Sequence, residues 1–218
     1  LSKSEGQGDG GPRQGRQKAD RKERQLAVQD FKRNVILQAA RAAFVEDGLE
    51  GASLRSIAKR AGYTPGAVYL YFDSKEAIYA AILEESLARL DAVIEAKAEV
   101  ALPGRMQAAQ ALTAYADYYE QNPVELDLGL YLYQREKKGL TSRLDAHLNA
   151  CLAKAVDRMV AAMTGHLGDE AEARQAVLSF IAHVVGTLVL KKCGRLKLFE
   201  GTSEALITRQ LHLLLDYG

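Results

Sequence analysis

Two groups of residues have types and spacings that could do chemistry. The first lies in SLRSIAKRAGYTPGAVYLYFDSKEAI, residues 53–78. Ser53 and Thr64 are hydroxyl residues placed where helices begin, and each side-chain oxygen can take a free N–H of a first turn. Pro65 follows Thr64 at the one helical position where a missing N–H does no harm. Between them Gly62 supplies the left-handed backbone that a stop and turn require. A cap, a short apolar helix, a glycine turn and a second capped helix form a helix-turn-helix, whose second helix enters the DNA major groove. The chemistry expected here is hydrogen bonding and contact with nucleic acid. The second group is Asp145, His147 and Cys151. His147 and Cys151 share a helix face at i and i+4, and both side chains can ligate zinc. A third ligand at fixed spacing is missing, so ordinary packing is the better reading and no metal is expected.

Enzyme signatures do not emerge. No glycine-rich phosphate loop follows a strand, and neither G-x-S-x-G nor H-E-x-x-H occurs. Paired carboxylates such as Glu84 and Glu85 fall on an amphipathic helix, where solvent exposure accounts for them. The chain is therefore read as a non-enzyme without a cofactor.

The elements that must hold the first group are helical. Ala, Leu, Glu, Lys and Arg dominate, prolines number 4, and alternating β-branched runs are scarce, so the fold class is all-α with about nine helices. Helix 1 is expected from about 28 to 47, with Val35, Ile36, Ala39, Ala40, Ala43 and Phe44 buried and Gly48 ending it. Helices over 54–60 and 65–71 follow, then a long helix from Ser74 to about 98. Pro103-Gly104 breaks the chain, and five helices follow at about 105–121, 124–137, 141–164, 170–192 and 203–216. Residues 1–24 are read as a disordered basic tail, 25–73 as the DNA-binding domain, and 74–218 as a second helical domain with 74–98 as connector. The tail's Arg13, Arg16, Lys18, Arg21, Lys22 and Arg24 either touch the DNA backbone or are incidental charge on a solvated segment.

Charge is divided unevenly. The 218 residues carry a net charge of +1. Residues 1–75 hold 14 Lys/Arg against 9 Asp/Glu, and residues 76–218 hold 15 against 19. A basic first third suits a DNA-reading end. Two cysteines make no disulfide framework and fit a reducing compartment. The longest apolar stretch, 180–190, is too short to span a bilayer, so no membrane contact and a cytoplasmic location are expected.

The stretch from Val35 to Ile82 resembles the TetR/AcrR family of bacterial transcriptional regulators. Ser53, Ile57, Ala58, Ala61, Gly62, Gly66, Tyr69, Tyr71, Phe72 and Lys75 carry the resemblance, after a first helix that ends with Phe44 and Gly48. The resemblance implies that Thr64, Tyr69, Tyr71 and Lys75 contact phosphates, with Ser53 at the start of helix 2. Helix N-termini and a lysine in a first turn suit that role. Phe72 is read as a packing residue. The exposed recognition positions Pro65, Gly66, Ala67 and Leu70 offer no bidentate group for a base edge. Sequence preference would come from thymine-methyl contact by Ala67 or Leu70, from Arg55, from the arm, or from DNA shape.

The resemblance further implies a ligand-binding and dimerisation domain. Tyr115, Tyr119, Tyr133, Met159, Phe180 and His183 are candidates to line a cavity for a small hydrophobic or aromatic ligand, although aromatics at helical spacing are also ordinary core. Glu125 and Asp127 could select a cation but read as solvated. Ala182, Val185, Gly186 and Val189, with Leu206, Gln210, Leu213 and Leu214, are the expected faces of a homodimer, because both helices carry more apolar surface than one core needs. The expected function is a ligand-responsive regulator, commonly a repressor, that binds a palindromic operator in double-stranded DNA as a homodimer. The alternative is a helical dimeric interaction module, or one that binds DNA without operator specificity.

Overall fold

The computed structural model describes residues 11–99, 102–134 and 142–216, and the side chains of 21–99, 102–130 and 145–216. Among the described residues there are ten helices and no strand. They are α1 Gly11–Gly51, α2 Leu54–Ala61, α3 Pro65–Tyr69, α4 Lys75–Lys97, α5 Gly104–Gln121, α6 Pro123–Gln134, α7 Ser142–Leu167, α8 Glu170–Lys192, α9 Arg195–Leu198 and α10 Ser203–Asp216. The chain divides into two compact units, residues 1–74 and 75–218.

In the first unit α1 packs on α2, and α2 on α3. The buried stripe of α1 is Ile36, Leu37, Ala39, Ala40, Ala43 and Phe44, the 3.6-residue pattern of a core-facing helix. Gly48 interrupts it at φ 68° and ψ 171°, a conformation open to glycine alone. One further turn then carries the buried Leu49 and delivers Ala52.

Two expectations are corrected here. The tail expected over 1–24 is helical from Gly11 onward, and residues 1–10 lie outside the described residues. The cause is cooperativity. Extending a helix already nucleated by a packed segment needs only one hydrogen bond per residue, and Gln, Lys, Arg, Glu and Ala all favour propagation. The second correction is α9, a single turn between Gly194 and Gly201 where the glycines suggest only a break. Leu196 is buried there, and that one anchor suffices to order the turn against α8.

In the second unit α7 lies centrally, packing on α4, α5 and α8, while α10 packs on α8 and α5. Leu90, Ile94, Leu112, Tyr115, Met159, Met163, Val177, Phe180 and Val184 form one continuous core. α8 is long and apolar enough to cross a membrane by composition, with a mean hydropathy of 1.5 over its best window. It packs on α7, α9 and α10, and a third of that window is buried. The first half of α4 is buried on nearly every side from Ile78 to Leu83, more than the single face its leucine spacing suggests.

One ionic network ties α4 to α7. The buried Asp91 accepts from Arg158 Nε at 2.5 Å and from Lys154 Nζ at 2.7 Å, and Arg158 also reaches Glu95 at 2.9 Å. Burial alone would raise the Asp91 carboxyl, but the hydrogen bonds and charges of Lys154 and Arg158 outweigh it and hold the pKa below the ordinary 3.8. A depressed folded-state pKa stabilises above the unfolded value and is lost as pH falls through the folded one. Asp91→Asn should lower stability at pH 7 by about 1–3 kcal/mol. The gap between the two proteins should close on acidification below about pH 4. Urea unfolding across pH 3–7 reads both, and a gap that stays constant with pH would refute the assignment.

Candidate nucleic-acid interface

The recognition element is built from its caps inward. Ser53 is extended at φ −134°, and its hydroxyl accepts the Ser56 N–H at 3.1 Å while Ser56 Oγ accepts the Ser53 N–H at 3.0 Å. This is a reciprocal capping box with serine in the place usually taken by Glu or Gln. Ile57 and Ala58 then bury completely. At the far end Gly62 adopts φ 74°, the Tyr63 N–H returns to the Ala58 carbonyl at 2.9 Å and the Gly62 N–H to Lys59 at 3.2 Å. These two bonds close a Schellman turn and redirect the chain.

Thr64 starts α3 in the same manner, its Oγ1 accepting the Ala67 N–H at 3.2 Å ahead of Pro65. α3 is shorter than the expected 65–71. Beyond Tyr69 the Val68 carbonyl takes both the Tyr71 and Phe72 N–H groups, at 2.9 and 3.0 Å. The tightened turn swings Phe72 inward, where it is 7% exposed and lies under the Arg33 guanidinium at 5.5 Å from the ring centre. Phe72 is thus a packing residue, as expected.

Within α3 only Val68 is buried. Pro65, Gly66, Tyr69 and Leu70 are exposed, Leu70 at 83%, and Ala67 and Tyr71 are half-buried. The structure therefore brings Thr64, Pro65, Gly66, Tyr69 and Leu70 onto one outward surface that performs no core task. Arg55 is also exposed, on α2. Lys75 is the first residue of α4 and of the second unit.

Three contributors escaped the sequence reading. Ser56 completes the capping box, and the S-x-x-S spacing could have pointed to it. Arg60 on α2 grips Glu46 on α1 through two bonds of 2.8 and 2.5 Å. The hydrogen bond and charge of Arg60 lower the Glu46 pKa, and the paired geometry joins the surfaces of α2 and α1. Arg33 covers Phe72, a contact between residues too far apart in sequence to be read from periodicity.

The residues expected to hold a ligand divide. Tyr115, Tyr119, Met159 and Phe180 come together, but as closed core, all at most 8% exposed. Tyr119 meets Tyr115 and Tyr118 edge-on at 5.1 and 5.3 Å, and burial, followed by the nearby Tyr118 and Glu125, pushes its hydroxyl pKa well up. His183 is half-buried with Nε2 at 3.0 Å from the Leu206 carbonyl. The side chain of Tyr133 lies outside the described residues. Grooves of about 590 Å³ and 520 Å³ run instead along the outer faces of α10, at Thr208 and His212, and of α7, at Ala153 and Asp157.

Glu125 is not solvated as expected, whereas the side chain of Asp127 remains about a third exposed. Glu125 is buried and accepts from Arg89 at 3.0 Å, and Asp127 pairs with Lys192. His147 Nε2 lies 3.0 Å from Glu84 Oε1 and 3.9 Å from Cys151 Sγ. Among the described residues no three His, Cys, Asp or Glu side chains are grouped to hold a metal.

On α8 and α10 the expected dimer residues divide, and Val185 and Leu214 pack in part against the core. Ala182, Gly186, Val189 and Leu213 are exposed, and Val185, Leu206, Gln210 and Leu214 are half-buried. Leu178, exposed at 52%, extends the exposed stripe of α8 by one turn. A Cβ placed on Gly186 would meet nothing within 4 Å, so this face is open to a close neighbour.

Residues 36–82 match the family described as bacterial regulatory proteins, tetR family. The transcriptional repressor NicS of Pseudomonas putida is 30% identical over 128 residues, 58% of this chain and 59% of that protein. The regulator UidR of Escherichia coli is 43% identical over 67 residues, 29% of this chain and 34% of UidR. The chain thus spans from about a third to under two thirds of the length of these curated relatives. FadR of Bacillus subtilis, solved with stearoyl-CoA, superposes with a TM-score of 0.65 at 21% identity, covering 83% of this chain and 96% of FadR.

The turn can be tested directly. A Cβ at Gly62 has open space, so Gly62→Ala should cost about 1 kcal/mol through its positive φ alone, and Gly62→Asn should recover part of the loss. Urea unfolding of the three proteins checks the order; an alanine variant as stable as the parent would rule out the left-handed cap.

Proposed function

We propose that this chain, whose residues 36–82 match the tetR family of bacterial regulatory proteins, is a homodimeric, ligand-responsive DNA-binding transcriptional regulator, acting as a repressor. One observation carries the proposal: α3 commits only Val68 to packing and turns Thr64, Pro65, Gly66, Tyr69 and Leu70 outward from a doubly capped turn. A surface so held is suited to lie in a major groove. Thr64, Tyr69, Tyr71 and Lys75 supply hydroxyl and ammonium donors to phosphates, and Ser53 stands at the entry of α2. These contacts set register rather than sequence. Ala67 and Leu70 meet thymine methyls, and Arg55 adds a donor at the edge.

Two copies join through the apolar faces of α8 and α10, an isologous four-helix contact that gives a palindromic operator its two-fold partner. The ligand is small and hydrophobic or aromatic. It would enter the region of Tyr115, Tyr119, Met159, Phe180 and His183 by parting side chains that are packed together in the present state, and it can release DNA only by favouring the parted state. The stearoyl chain of the stearoyl-CoA bound by FadR is hydrophobic, as the ligand proposed here is. The chain performs no catalysis, and its DNA partner places it in the cytoplasm.

A second reading follows from the apolar recognition positions: DNA binding without operator specificity. Selection of bound sequences from a random duplex library at two salt concentrations separates the two. An enriched palindrome supports the regulator. Strong, salt-sensitive binding with no enriched motif overturns it in favour of the second reading.

Two substitutions sharpen the test. Lys75→Ala should weaken binding to all sequences by a similar factor and reduce the salt slope by roughly 0.9 for every phosphate it leaves unneutralised. Leu70→Ala should change which sequence is preferred, read by repeating the selection. Normal binding of Lys75→Ala at moderate salt, or an unchanged motif for Leu70→Ala, would remove that residue from the interface.

A further inference from the structure

The first turns of α1 lie outside the core of the first unit. Residues 21–32 are exposed without a break, and the helix does not enter the core until Ile36. Over residues 21–32, some three turns, the helix therefore gives no side chain to the core. Its charge is sided. Arg21 and Lys22 precede Lys32 and Arg33 by eleven residues, which is about three helical turns, so the two pairs lie on one strip of the helix. Glu23 and Asp30, a heptad apart, share a separate strip. The direction of the basic strip is fixed at its lower end, because the Arg33 guanidinium lies over the ring of Phe72. The strip thus lies on the side of α1 that meets Phe72, the residue that closes the turn after α3. Arg21 and Lys22 stand on that side about 16 Å further along the helix axis.

We infer that this exposed stretch of α1 is a phosphate-tracking arm, which lays Arg21, Lys22 and Lys32, with Arg24 on its flank, along the backbone of duplex DNA next to the segment read by α3. The occupant is named by charge complementarity. Arg21, Lys22 and Lys32 fall within about 100° of one another around the helix, in two groups about three turns apart, which suits a line of phosphates. The inference rests on the DNA-binding reading above and extends its footprint beyond the helix-turn-helix. The arm carries no base-reading chemistry, so it adds affinity equally for every sequence.

The test is the full chain carrying Arg21→Gln, Lys22→Gln and Arg24→Gln together, since glutamine preserves helix propensity. Binding to mixed-sequence duplexes of about 20 and about 40 base pairs is titrated across salt for parent and variant. The parent should bind the longer duplex more tightly per site than the shorter one. The variant should lose that difference, and its slope of log Kobs against log salt should be shallower by about 0.9 for each phosphate left unneutralised. Its helical circular dichroism and thermal midpoint should match the parent's. An unchanged slope and unchanged length dependence in a folded variant would overturn the arm while leaving the regulator reading intact. A parent that fails to bind duplex DNA at low salt would overturn both.

Discussion

Everything proposed for the recognition surface depends on the burial of one side chain, Val68. A five-residue helix cannot sustain itself, because nucleation costs more than so few hydrogen bonds return. α3 exists because Thr64 fixes its entrance, because the Val68 side chain is wholly buried, and because the Val68 carbonyl gathers the N–H groups that close its end. α2 is the support, itself pinned by the Ser53–Ser56 box, by the Gly62 turn and by Arg60 on Glu46. The exposed Gly66, Tyr69 and Leu70 are thus positioned by the residues around them.

Legibility in the sequence follows from the range of the forces involved. Caps and turns are local, so Ser53, Gly62, Thr64 and Pro65 mark the element by their types and spacing alone. Helix bounds marked by Gly and Pro are equally readable, as at Gly104 and Pro123. Interactions between distant residues are not. Arg60 with Glu46, Arg33 with Phe72, and Arg89 with Glu125 join positions that no periodicity connects. The reach of α1 is hidden for a different reason. Composition describes what a segment would do alone, whereas residues 11–24 continue a helix nucleated elsewhere.

The second unit shows where pattern reading reaches its limit. Aromatic residues at helical spacing suit both core and lining, and the structure places Tyr115, Tyr119, Met159 and Phe180 together in one closed core. A core of this kind has to rearrange before it admits a guest. The Asp91 network between α4 and α7 is the polar counterpart, holding the two helices in one mutual register.

The spare use of α3 separates two properties that most protein surfaces combine. Since Gly66, Tyr69 and Leu70 are exposed and support no packing, exchanging them leaves the stability of the fold nearly untouched. A Cβ at Gly66 would meet nothing within 4 Å. Descendants of this chain could therefore acquire new target sites by point changes, with little loss of folded protein along the way.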